Sequence, residues 1–294
     1  MPTTSLYPLR ARAAGYLALT KPRIIELLLV TTVPTMFVAE RGVPSMWLMA
    51  ATVVGGTLAA GGANAINMVI DRDIDGVMER TRHRPLVTGV VNPKGAMVFA
   101  VLLEVAAFVW LVATVNLLSA VLAVSATAFY IFVYTMWLKR TSTSNIVIGG
   151  AAGAVPVLVG WSAVTGSLDW PPVVLFLVVF YWTPPHFWAL AIRYREDYAA
   201  ADVPMLPVVT GSKATATRII YYTTILVALT IVFSPVANMG AVYLVASLVL
   251  GAVFAGLTLV VRADPGAKNA MRLFHYSITY VTLLFGAMIV DVLV

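Results

Sequence analysis

Residues 48–75 read LMAATVVGGTLAAGGANAINMVIDRDID. From Leu48 to Ile70 no residue is charged; Asp71, Arg72, Asp73 and Asp75 then follow at once. About 20 apolar residues suffice to cross a bilayer. The stretch therefore predicts a transmembrane helix, and its polar end predicts a site. Asn67, Asp71 and Asp75 are spaced i, i+4, i+8. Each step drifts about 40°, so the three share one face across about 12 Å of axis. A row of oxygens is what a hard divalent cation needs, and Mg2+ typically takes one or two carboxylates plus phosphate oxygens. Acids at a helix C-terminus oppose the macrodipole and gain nothing there. Asp73 falls on roughly the opposite face, as a solvated or arginine-paired acid.

The remainder of the chain follows the same pattern. Of 294 residues, 61% are hydrophobic and only 11% are charged, against about 25% charged in soluble domains. The mean hydropathy is +0.92. These values exclude a cytosolic enzyme and a disordered tail. Zero cysteines exclude disulfides, thiolate metal sites and cysteine nucleophiles. The net charge of +6 does not indicate nucleic acid, because the basic residues sit at helix ends.

Apolar runs predict an all-α membrane protein of nine transmembrane helices, at about 24–40, 48–70, 95–115, 117–138, 144–165, 171–192, 217–236, 240–261 and 273–293. The whole chain, 1–294, reads as one transmembrane domain. Residues 1–23 form a cytosolic N-terminal segment without a cleavable signal peptide. With this count, all but Arg41 of the 19 lysines and arginines fall on one side. The positive-inside rule then places the N-terminus in the cytoplasm and the C-terminus outside. Glu26 in the first span is close enough to the inner surface to snorkel or pair with Arg23. Two inner connections, 71–94 and 193–216, are long and rich in acids as well as bases, which marks them as functional loops. Val33-Pro34 in the first helix is matched by Val155-Pro156 in the fifth. Asn67, Asp71 and Asp75 correspond to Arg193, Asp197 and Ala201 at an offset of 126. This predicts two parallel four-helix repeats plus a ninth helix around a central cavity.

Further chemistry clusters on the inner side. Arg80, Arg82 and Arg84 alternate just beyond the acidic row, which suits a diphosphate; the same residues also serve as topology anchors. Asp197, the repeat partner of Asp71, is the candidate second metal ligand. Lys139 and Arg140 end the fourth helix, where they bind phosphate or simply complement the dipole. His186 stands in Trp182-Thr-Pro-Pro-His-Phe-Trp188 at membrane depth. It could ligate iron, accept a proton, or hydrogen-bond between helices. Glu104 is another intramembrane acid. A secondary transporter would put such groups near the midplane, whereas here they gather at the inner rim.

With these residues in view, the sequence resembles the UbiA-type intramembrane prenyltransferases, whose hallmark is Asn-x3-Asp-x3-Asp with a second Asp motif four helices later. The resemblance runs through Leu19–Arg23, Gly62–Asp75, Met78–Leu86, Tyr134–Thr141, Asn145–Gly150, Pro184–Leu190 and Asp197–Pro207. The last three helices match only in hydropathy. Thr183-Pro-Pro-His186 and Pro204-Met-Leu-Pro207 favour the branch with a haem acceptor over the quinone branch, which is the alternative. Ala201 departs from the second acid of the wider family, and Asp202 stands one residue beyond. The resemblance implies transfer of farnesyl from farnesyl diphosphate to a vinyl group of protohaem IX (haem B), with addition of water, giving haem O and diphosphate. It implies Mg2+ on Asn67, Asp71, Asp75 and Asp197, with Lys139 and His186 also catalytic. Lys21, Arg80, Arg84, Tyr134, Arg140 and Arg193 are the implied substrate contacts. A haem A synthase partner is implied by pathway alone; the N-terminal segment, short for a transit peptide, points to a bacterial cytoplasmic membrane rather than a mitochondrial one.

Overall fold

The computed structural model describes residues 7–294, except for the side chains of 23–29. The expected pairing of Arg23 with Glu26 lies outside the described residues. The long helices are α2 (Pro22–Glu40), α3 (Met46–Ile70), α5 (Pro93–Thr114), α8 (Asn145–Thr165), α9 (Trp170–Arg193), α12 (Ser212–Val236), α13 (Ala241–Ala263) and α14 (Ala267–Leu293). One more runs from α6 (Leu117–Ala128) through a π-helical segment, Phe129–Leu138, into α7 (Lys139–Thr141). Among the described residues, eight of these are long and apolar enough to span a membrane. The expected first span is α2, whose side chains are described only in part. The protein is a multi-pass, all-helical membrane protein, with no strand among the described residues.

Four short helices were not anticipated. The N-terminal segment forms α1 (Leu9–Leu19), and the inner connections carry α4 (Arg72–Val77) and the pair α10 (Arg195–Ala200) and α11 (Leu206–Thr210). Gly15 lets α1 dock, since a Cβ there would lie 2.7 Å from Val91.

The two halves pack alike: α3 lies on α5 and α9 on α12, as the repeat predicts. The proline-bearing helices α2 and α8 cross against each other, and α14 closes the bundle against α2 and α9. Their approach is close: a Cβ on Gly160 would sit 2.5 Å from the Thr32 carbonyl oxygen, the kind of backbone contact that holds helices together in lipid. Arg41, the exception to the charge asymmetry, has a structural task. It donates to the carbonyls of Ala237 (2.5 Å) and Asn238 (3.3 Å) at the C-terminal end of α12, where a cation is favoured by the exposed carbonyls.

Candidate active site

The α3–α4 junction sets the acidic row. The helix breaks at Asp71, yet Asp71 N–H still donates to Asn67 O and Asp75 N–H to Asp71 O, both at 2.9 Å. The i, i+4, i+8 register therefore survives the break. All three side chains are buried: Asn67 is 3% exposed, Asp71 0% and Asp75 2%. Buried carboxylates must be matched by cations. Lys139 pairs with Asp71, Arg84 with Asp75 at 2.6 Å, and Lys21 donates to Asn67 Oδ1 at 2.9 Å. Asn67 in turn donates to Asp71 Oδ2 at 2.7 Å and to Thr135 Oγ at 3.1 Å. The π-helical segment brings Lys139 to this cluster, and its wide turn shows in the Thr135 hydroxyl donating five residues back to Tyr130 O at 2.9 Å. Such segments recur at functional sites.

Lys21 takes a left-handed backbone conformation (φ 51°) immediately before Pro22, which for a non-glycine residue costs about 1 kcal/mol. That geometry accompanies its reach to Asn67. Burial pushes its ammonium down to about 7, and the nearby charges of Arg84 and Lys139 push the same way. Asp73 behaves as its register predicts: it is exposed and takes a bidentate contact from Arg140 at 2.7 and 2.8 Å. The Arg140 hydrogen bonds hold its carboxyl down at about 2.

A cavity of about 380 Å³ opens from this cluster into the bundle, within the range of ligand sites. Lys21, Asn67, Asp75, Arg80, Arg84, Tyr134 and Lys139 line its inner end. Ala59, Ala60, Gly149, Gly153 and Val159 line its apolar length, with Trp182 and Phe187 on one wall. Four cations thus face two buried acids. The site has an excess of positive charge at the mouth of an apolar chamber, which fits an anionic head on a hydrocarbon tail.

Other expected residues stand further back. Arg140 is engaged by Asp73 and by the Ile70 carbonyl, with Asp71 Oδ1 at 3.6 Å. Arg193 is exposed and lies over the Tyr194 ring at 5.4 Å. Asp197, half-buried, accepts the Arg80 backbone N–H at 3.4 Å. Asp202 is exposed with φ 52°. Among the described residues no three carboxylates or histidines converge as a metal cluster; the oxygen row offers two carboxylates and an amide instead. Asp71 Oδ1 is buried without a hydrogen-bond partner, and the all-oxygen donor set fits Mg2+.

His186 does not line the cavity. Its Nδ1 meets Ser277 Oγ at 2.7 Å, and its ring lies between Trp182 and Phe274 at 4.4 and 4.5 Å. Of the alternatives open from sequence, the structure displays the interhelical hydrogen bond.

Sequence reasoning missed Thr135, Tyr130 and Tyr198. Tyr198 holds Arg80 through its hydroxyl at 3.2 Å and its ring at 5.6 Å. The available signals were Thr135 four residues before Lys139 and Tyr198 beside Asp197.

Known proteins match this chain. The family model for the UbiA prenyltransferase family covers residues 28–278. A protoheme IX farnesyltransferase of Parafrankia sp. (strain EAN1pec) is 56% identical over 94% of this chain and 90% of its own. Two solved structures share the fold. A digeranylgeranylglyceryl phosphate synthase gives a TM-score of 0.79 at 18% identity, covering 96% of this chain and 98% of that one. A UbiA homologue from Archaeoglobus fulgidus bound to DMAPP and Mg2+ gives 0.63 at 16% identity, covering 94% and 99%. By the family match and by this level of identity along nearly its whole length, the chain belongs to the UbiA prenyltransferase family.

Proposed function

We propose that the protein transfers a farnesyl group from farnesyl diphosphate to a vinyl group of protohaem IX, with addition of water, giving haem O and diphosphate. The observation that carries this reading is the buried Asn67–Asp71–Asp75 row, ringed by four cations, at the inner end of an apolar cavity. Its relatives of more than 50% identity, named protoheme IX farnesyltransferase, support haem as acceptor.

Lys21, Arg80, Arg84 and Lys139 bind the diphosphate and stabilise the charge it gains as the carbon–oxygen bond to farnesyl C1 breaks. Asn67, Asp71 and Asp75 would hold Mg2+, with Asp197 opposite them through the Arg80 backbone. The UbiA homologue solved with DMAPP and Mg2+ supports a metal at such a site. Bound Mg2+ supplies Lewis-acid neutralisation of diphosphate charge. The apolar chamber holds the farnesyl chain and keeps bulk water from the allylic carbon. The terminal vinyl carbon bonds to C1, and water adds at the carbon left positive beside the porphyrin ring. Tyr134 packs on Gly149, where a Cβ would lie 2.3 Å from the ring, and so shapes the chamber near the head group. We place Arg140 and Arg193 as outer supports of the head-group site. We place His186 behind the acceptor wall, through Trp182.

The same reading puts the protein in a bacterial cytoplasmic membrane, N-terminus in the cytoplasm and C-terminus outside, so that the site opens to the cytosol. The test is an acceptor comparison. Purified protein receives farnesyl diphosphate with either haem B or an aromatic carboxylic acid of the quinone pathway. Prenylation of haem alone is expected; prenylation of the aromatic acid alone would replace the acceptor while keeping the site.

A further inference from the structure

Water addition releases a proton, and that step needs an acceptor near the reacting carbon. One acid lies deeper. The other acids whose side chains are described sit at helix ends or in connections; Glu104 lies within the apolar length of α5. It reaches α3 where Gly62 leaves room, since a Cβ there would lie 2.6 Å from Glu104 Oε1. Gly62 is five residues outward of Asn67, about 7.5 Å deeper in the membrane. That is the level at which carbons just beyond a bound diphosphate would react.

The Glu104 contacts are few. Thr127 donates its hydroxyl to Oε1 at 3.2 Å, and Oε2 is buried without a partner. A carboxylate so poorly satisfied is relieved by gaining a proton. Thr127 itself lines the cavity, so its hydroxyl joins the chamber to an acid behind the wall.

We propose that Glu104, acting through the Thr127 hydroxyl, accepts the proton released when water adds to the prenylated acceptor. The water oxygen gives a lone pair to the positive carbon and forms the new C–O bond. One of its protons passes to Thr127 Oγ as the Thr127 proton passes to Glu104 Oε1. The carboxylate becomes a carboxylic acid, and nothing is oxidised or reduced. Glu104 touches no substrate atom; it works by giving the Thr127 hydroxyl its basicity. Without that outlet, the added water leaves again and the cation gives a proton from the neighbouring carbon to the departed diphosphate, leaving an alkene one water lighter.

The inference rests on the haem-prenylating reading, and the test separates the two. Wild type, Glu104→Gln, Glu104→Asp and Thr127→Val are each given haem B, farnesyl diphosphate and Mg2+, and the hydrated and dehydrated products are counted by mass. Glu104→Gln keeps the shape and the hydrogen bond but loses the basicity; its alkene-to-alcohol ratio should rise at least about tenfold. Glu104→Asp should return the ratio toward wild type. Thr127→Val, nearly isosteric, should repeat the Gln phenotype and stands in for it if Glu104→Gln does not fold. A purely structural role lowers both products together and leaves the ratio unchanged, which would overturn the inference alone. Wild type yielding no prenylated haem would overturn the reading beneath it, and the inference with it.

Discussion

In the first half of the bundle, Asn67, Asp71 and Asp75 are buried and held by Lys21, Lys139 and Arg84. At the equivalent places in the second half, Arg193 is exposed, Asp197 is half-buried and Ala201 has no charge. The backbone explains part of the difference. Helical hydrogen bonds bridge both breaks, but the first falls on Asp71 itself, whereas the second falls on Tyr194, three residues before Asp197. In place of charges the second half supplies rings: Trp182 and Phe187 on the cavity wall, Tyr194 and Tyr198 around Arg80. One repeat, used twice, has thus divided its labour. The first copy supplies the buried acidic row and its cations, and the second walls the chamber and positions one arginine.

The division is breakable by substitution, and Asp71→Ala should do most damage. It removes an oxygen of the row and leaves Lys139 buried without its partner, so haem prenylation should fall about 100-fold or more. Asp197→Ala, the same change in the other half, should cost about tenfold; equal losses would erase the asymmetry. Lys21 sharpens the comparison through pH. Burial holds its ammonium down at about 7, so the free site loses that charge as pH rises through 7. An arriving diphosphate favours the charged form. Affinity for diphosphate should therefore weaken above pH 7, by up to about tenfold per unit, and Lys21→Met should flatten that slope in a titration. The linked stability runs the opposite way: the unfolded chain holds the Lys21 proton between about 7 and 10.5, so this group's contribution to stability rises with pH across that window.

Smaller effects belong to the second half. His186→Ala unstacks Trp182 from the acceptor wall, so KM for haem should rise about threefold or more while kcat stays within about threefold. Complete loss of kcat would restore a direct role for the imidazole. Arg193→Ala should change neither parameter by more than about twofold, as for an exposed side chain with no ion pair among the described residues; a larger loss would place it against substrate.

The spans were legible because lipid leaves the backbone little choice: apolar runs of this length must be helices, and each expected range overlaps an observed helix, with starts up to six residues apart. The row Asn67–Asp71–Asp75 was legible because helical spacing fixes a face. What could not be read is what depends on packing. The α1 helix carries no apolar run and is defined by Gly15 docking on Val91. The π-helical segment has no periodicity distinct from an α-helix, yet it carries Thr135 and Lys139 to the site. Arg140 looked equally suited to phosphate or to the helix terminus, and the position of Asp73 decided the matter. His186 could not be judged without Ser277, 91 residues away.

Farnesyl transfer to haem is assigned here to the buried row in the first half, loaded with Mg2+. Its most direct test gives detergent-purified protein haem B, farnesyl diphosphate and Mg2+, with EDTA and Asp71→Ala as controls, and weighs the product. A haem heavier by one farnesyl and one water is expected, absent in both controls. Prenylated haem that persists at full yield in EDTA or in Asp71→Ala would contradict that assignment.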